Sequence, residues 1–230
     1  MKQIVKKLEH LGFYSYEEPT LVPVIQALQL NNKLIWLISG RYKRLDALDM
    51  SLSLRANELI DNVMDESDNF LYLYRPLPPH RCFSFDKEDL YEYPPMIFED
   101  DYLCRSLSRC GVIIKEADEY EDSEGNLHLT TNVGDFLILP VEFSSSSTRN
   151  CLKWQIVTAR ILLRLNTILS QASSPEKFYI LDEEGEEGHT TIALLNSSMF
   201  KFFQDTSKLE ELEERYLPKP IEKYFKSILL

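Results

Sequence analysis

Residues 148–172 constrain the fold more than any other stretch, because apolar side chains recur there at helical spacing on more than one face. Leu152, Ile156, Ala159 and Leu163 make one row; Trp154, Val157, Ile161, Leu165 and Ile168 make another. A helix that is apolar around so much of its circumference must be wrapped by other elements. The neighbouring stretches supply them. Gly125-Asn126 opens a strand through Leu127, Leu129 and Thr131, Gly134-Asp135 turns it, and 136–143 returns as a near-continuous apolar run expected to be buried on both faces. After the helix, Ser173-Ser174-Pro175 breaks the chain, and Phe178–Leu181 pairs with Thr191–Leu195 across an acidic turn. The expected class is α+β and helix-rich, with a small mixed or antiparallel core sheet (hairpins near 126–143 and 178–195) packed on a long central helix over 148–172.

The flanks are mainly helical. Helices are expected over 2–11, ended by Gly12, over 20–30 and over 52–64; residues 33–39 fit a strand or a helical turn. A strand at 69–75 runs into the stiff connector Arg75–Pro79, which looks like a proline-rich ligand but reads better as a spacer packed on its own domain. Residues 80–101 read as an irregular excursion, 102–110 as a helix capped by Gly111, and 112–114 as a short strand. Three helices close the chain, over 197–205, 208–216 and 221–229, the last with Ile221, Tyr224, Phe225, Ile228 and Leu229 on one face. The expected division is 1–115, a helical region with a Pro-rich connector, and 116–230, an α+β core, with one continuous domain as the alternative.

Charge narrows the choice of partner. The chain of 230 residues carries a formal charge of −12, which argues against covering nucleic acid with its whole surface, since that binding depends on Lys and Arg releasing counterions. The charge is uneven: residues 1–45 hold seven Lys/Arg against three Asp/Glu, 46–142 seven against 22, 143–175 four against none, and 176–230 seven against 12. An acidic surface suits a basic protein partner, and nucleic acid is left only a local basic site. Ile4, Val5, Leu8 and Leu11 are spread at helical spacing, so the N-terminus reads as a helix and not a signal peptide. No apolar run nears the roughly 20 residues of a membrane span. Four unclustered cysteines suit a reducing cytoplasm.

The motifs that carry chemistry are weak. No two of the seven glycines have the spacing of a dinucleotide or nucleotide cradle, and no Gly-x-Ser-x-Gly elbow occurs. His80, Cys82, Cys104 and Cys110 are the nitrogen and sulfur ligands available to zinc, but His-x-Cys and Cys-x5-Cys are not zinc-knuckle spacings. The acid-rich runs 118–126 and 182–187 lack the order of a calcium loop and read as solvated turns. His189, beside Gly188, reads as a surface residue. No cofactor, metal or catalytic residue is assigned.

Two constellations remain. Hairpin, apolar strand with an internal glutamate, long helix and further strand is the order that resembles the core of restriction-endonuclease-like nucleases. That family's metal site is an Asp on one strand and Glu-x-Lys on the next. Glu142 stands in the glutamate's place, His128 or Asp135 in that of the first acid, and Ser144 where the lysine belongs. The resemblance implies at most a degenerate version of that fold, contacting nucleic acid through 142–164. The second is a cationic stripe. On a wheel of about 100° per residue, Lys153, Arg160, Arg164 and Gln171 share a narrow arc. With Ser144–Thr148 and Arg149 they could hold an anion or a partner, or pair internally with the acid-rich segments. The expected function is interaction: a non-catalytic accessory, adaptor, regulator or immunity-type protein using an acidic surface, with an enzyme or former enzyme acting on nucleic acid as the rival.

Overall fold

The computed structural model describes residues 2–16, 19, 22, 23, 26, 81–99, 101–144, 148–183, 188–206 and 217–224. In chain order its elements are α1 (Lys2–His10), β1 (Cys82–Asp86), α2 (Lys87–Glu92), a 3-10 turn (Pro94–Phe98), α3 (Asp101–Arg109), β2 (Ala117–Glu121), β3 (Leu127–Thr131) and β4 (Gly134–Leu139). They continue with α4 (Val141–Ser144), α5 (Asn150–Gln171), β5 (Glu176–Glu183), β6 (His189–Asn196), α6 (Ser197–Thr206), β7 (Lys219–Pro220) and α7 (Ile221–Tyr224). The expected helices over most of 20–30, 52–64 and 208–216, the segment 33–39, the strand 69–75, the Arg75–Pro79 connector, His80 and residues 225–229 lie outside the described residues.

The fold is α+β, with two antiparallel sheets, one ordered β1-β6-β5-β7 and the other β2-β3-β4. The long helix α5 lies between them. Phe136, Ile138 and Leu139 of β4, Leu129 of β3, and Phe83, Phe178, Ile180, Ile192 and Leu194 of the larger sheet all pack with its Ile156, Val157, Ile161, Leu165 and Ile168 in one core. Packing against both sheets explains why α5 is apolar around so much of its circumference. The other side of the larger sheet has its own core, in which Ala193 and Leu195 meet Val5 and Leu8 of α1 and Met199 and Phe203 of α6. Strand β6 is therefore covered on both faces, Ile192 and Leu194 alternating with Ala193 and Leu195. Since β1 pairs with β6, packing runs across the expected division at 115.

Several expectations are corrected. The doubly buried strand is β6; in β4 Leu137 is 37% exposed, because β4 is an outer strand covered by α5 on one face only. The run 136–143 is not one strand either. Pro140 has no N–H to give the ladder, β4 stops at Leu139, and 141–144 turns into α4. Within the expected excursion 80–101, residues 82–92 are regular: β1 pairs along β6 from Cys82↔Ala193 to Asp86↔His189, and Asp86 then caps α2 by accepting from the Glu88 N–H at 2.7 Å. Of the acid-rich run expected as a solvated turn over 118–126, the part up to Glu121 belongs to strand β2, paired with β3, and the turn is confined to 122–126. Conversely, 112–114 is no strand, because the Asn132 side chain does a strand's work there. Its Nδ2 donates to the Ile113 carbonyl and its Oδ1 accepts from the Lys115 N–H, each at 2.8 Å.

Helix ends follow local chemistry. After α3 the Val112 N–H reaches the Leu107 carbonyl and the Gly111 N–H that of Ser108, with Gly111 at φ +84°, the left-handed turn that glycine permits. At the end of α5 the same pair of bonds forms around Ser173, which adopts φ +59° without being glycine.

Candidate functional site

The outer face of β2-β3-β4 collects the polar side chains that β-sheet alternation turns away from α5. Register places Tyr120 opposite His128, Asp118 opposite Thr130, and on the other flank His128 opposite Leu137 and Thr130 opposite Asp135. Asp122, in the turn after β2, organises the group. Its Oδ1 accepts from the N–H groups of Glu124 at 2.8 Å and Asn126 at 3.0 Å, and its Oδ2 from the Asn126 side chain at 2.9 Å. Gly125, at φ +87°, allows the chain to wrap that tightly. Hydrogen bonds from Asn126, and then from His128 and Glu124, hold the Asp122 carboxyl well below the usual carboxylate range.

His128 is fixed between two carboxylates and an aromatic ring. Its Nε2 lies 3.0 Å from Asp122 Oδ2 and its Nδ1 3.6 Å from Asp135 Oδ1, while the ring stacks on Tyr120 with centroids 4.9 Å apart. The Tyr120 hydroxyl donates to Asp135 Oδ2 at 2.6 Å, and that bond raises its pKa. Such an array orients an imidazole and presents carboxylates at the surface. Among the described residues, Asp122 is the hydrogen-bond partner of His128. No three His, Cys, Asp or Glu side chains among them share a geometry that could hold a metal ion.

The structure thus brings His128 and Asp135 together and leaves Glu142 on a different element. Glu142 is exposed on α4, beyond Pro140, and the charge it exerts falls on Arg160. Strands β4 and β5, on either side of the long helix, belong to separate sheets, and of the two acids Asp135 lies on β4 while Glu142 lies on α4 and not on a strand. Asp122 and Tyr120 were not expected in the cluster. Their signal was the alternation Asp118-Tyr120-Asp122, hidden by the acid density around it.

The cationic stripe divides in two. Arg149 is exposed at the N-cap of α5, and Lys153, only 7% exposed, donates to the Ser144 carbonyl at 3.1 Å. Arg160 and Arg164 lie further along, against β4. Arg160 Nη1 donates to the Leu137 carbonyl at 3.4 Å, and the Arg164 guanidinium sits over the Phe136 ring, 4.7 Å from its centroid. Burial lowers the Arg160 pKa and the Glu142 charge opposes it.

Elsewhere, buried polar groups serve the fold. Arg81 is 1% exposed and uses all its donors: Nε to the Phe13 carbonyl, Nη1 to Glu176 Oε2 at 2.9 Å and the Leu194 carbonyl, Nη2 to the Gly12 carbonyl and Ser15 Oγ. The Tyr16 ring covers it at 4.1 Å and the Tyr16 hydroxyl meets Cys110 Sγ at 3.1 Å; burial, then that contact, raises the hydroxyl pKa. Cys104 donates to the Phe98 carbonyl, and Cys82 packs in the core behind the larger sheet. His189 is 43% exposed and lies 4.0 Å from Asp86. Comparison with protein-family models, curated proteins and solved structures finds no match to this chain.

Proposed function

We propose that the protein is a non-catalytic interaction protein, of accessory, adaptor, regulator or immunity type, that docks a basic protein partner on the outer face of β2-β3-β4. The observation that carries this reading is the composition and order of that face. That face carries Asp118, Asp122 and Asp135 around His128, and the segment 116–135 that builds most of it holds no Lys or Arg. Tyr120, 42% exposed, and Leu137, 37% exposed, lie between the acids. An aromatic and an aliphatic side chain ringed by oriented carboxylates suit an interface in which the apolar centre holds the partner and the charged rim speeds its approach. We place it in the cytoplasm, because all four cysteines are free thiols and, among the described residues, no helix is long and apolar enough to cross a membrane.

The test is affinity capture from the native cell with two baits, the natural chain and Asp118→Lys/Tyr120→Ala. Both substitutions fall on exposed side chains, so folding should survive. The reading requires a partner that the natural bait retains and the variant loses, with an association rate that falls as salt rises. A partner held equally by both baits, or a rate indifferent to salt, would overturn it.

A further inference from the structure

Arg81 shows how this protein treats a buried guanidinium: every N–H donor has an acceptor and one acceptor is a carboxylate. Arg160 and Arg164 are the contrast. Each carries the same five-donor fork, yet together they make one hydrogen bond, the 3.4 Å contact to the Leu137 carbonyl. Both Nε atoms are closed off from water without a partner, and among the described residues neither guanidinium forms an ion pair. Two half-buried like charges one helical turn apart destabilise a fold unless something neutralises them. In a chain of net charge −12 carboxylates are plentiful, so leaving these two unpaired calls for an explanation.

Both are nevertheless held in place. The Phe136 ring, its centroid 4.7 Å from the Arg164 guanidinium carbon, holds that charge by a cation–π contact that uses no N–H donor. Gly134 makes the room: a β-carbon there would stand 3.1 Å from Arg164 Nη2, and at φ +140° the position disfavours any other residue. Arg160 is oriented by the Leu137 carbonyl on β4, the last strand in its sheet. Two guanidinium groups of combined charge +2, with Nη donors left unused, match a tetrahedral dianion with three acceptor oxygens better than a carboxylate, whose two oxygens and single charge one fork would satisfy.

We propose that Arg160 and Arg164, along the outer edge of β4, form a binding site for the phosphoryl group of phosphate or a phosphate monoester. The carboxylates of the preceding reading lie on other residues, and Leu137, the residue the two share, is left unchanged in both tests, so the two stand or fall separately. Glu142, whose charge reaches Arg160 from α4, competes with the ligand and sets its affinity.

Titration calorimetry and thermal unfolding with inorganic phosphate and with phenyl phosphate, against chloride at equal ionic strength, test this on the full chain. Either phosphate compound should bind and raise Tm where chloride does not. Binding of both assigns the site to the phosphoryl group itself, and binding of phenyl phosphate alone assigns it to an ester whose organic part rests on exposed Leu137. Arg160→Gln/Arg164→Gln should weaken binding by at least about tenfold while its own ligand-free Tm stays level or rises, since two unpaired like charges are removed. Glu142→Gln, a surface change, should tighten binding severalfold. If neither compound binds, if the double variant binds as the natural chain does, or if Glu142→Gln leaves affinity unchanged, the proposal is wrong.

Discussion

Asn166 closes the joint between α5 and the larger sheet with one side chain. Its Nδ2 donates to the Phe178 carbonyl at 3.1 Å and its Oδ1 accepts from the Phe178 N–H at 2.7 Å, so a helix residue completes the backbone pairing of a strand. Both backbone groups are buried, and without the amide they would lack partners. Asn166→Leu, close in volume, should therefore cost about 3 kcal/mol by urea unfolding; a loss under about 1 kcal/mol would mean water replaces the amide. Asp122 makes a prediction about acid. Its folded pKa is depressed, so its contribution is present above the unfolded value and lost as pH falls below roughly 4. The stability gap between the natural chain and Asp122→Ala should hold steady near neutrality and shrink in that range. A gap that persists undiminished to the lowest pH at which both remain folded would contradict it.

At the scale of elements, short pieces are held by what they dock on. Helix α7 has four residues, too few for a stable helix by itself, but its Ile221 is fully buried in the core with α5. β7 adds to its tether by pairing Pro220 with Tyr179 and Lys219 with Ile180. Ile221→Ala should cost about 2–5 kcal/mol, the range for emptying a buried aliphatic site. Deleting the chain from Pro220 should lower Tm at least as far; a truncated chain that melts like the full one would show that the C-terminal segment does not support the core. Helix α6 shows the same dependence, with Asn196 capping it through a 3.0 Å bond to the Met199 N–H while Met199 and Phe203, one turn apart, bury its inner face.

At the scale of the whole molecule, Arg81 joins regions distant in the chain. It gathers carbonyls from the turn after α1, a carboxylate at the start of β5 and a carbonyl of β6 around one buried charge. Removing one partner strands the other. Arg81→Leu should cost about 3–5 kcal/mol, because Glu176, 6% exposed, would be left charged and alone. Amide exchange over residues 2–16 should accelerate in that variant as the turn after α1 loses its anchor, and Arg81→Leu/Glu176→Gln should recover part of the loss. Full recovery of exchange protection would assign the anchor to the charge pair alone; unchanged protection in Arg81→Leu would show that α1 is held by its apolar contacts.

Periodicity determined the long helix and α1, because a helix with a buried face must repeat its apolar residues in step with its own geometry, and turn residues beside apolar runs marked the two hairpins flanking the long helix. Local chemistry likewise marked the left-handed residues at Gly12 and Gly111. Partner choice was decided elsewhere. Nothing in Cys82–Asp86 shows that it will lie beside β6, and Ala117–Glu121 becomes a strand despite its acids because β3 offers it a ladder. The same holds for the site. His128 and Asp135 were legible as polar residues on a hairpin, but their meeting with Tyr120 and Asp122 depends on the register of three strands. The separation of Arg160 and Arg164 from Lys153 depends on β4 ending at Leu139, before Pro140. A sequence records which faces need covering; which element covers each is fixed by long-range packing, where burial is shared between segments that carry no mark of one another.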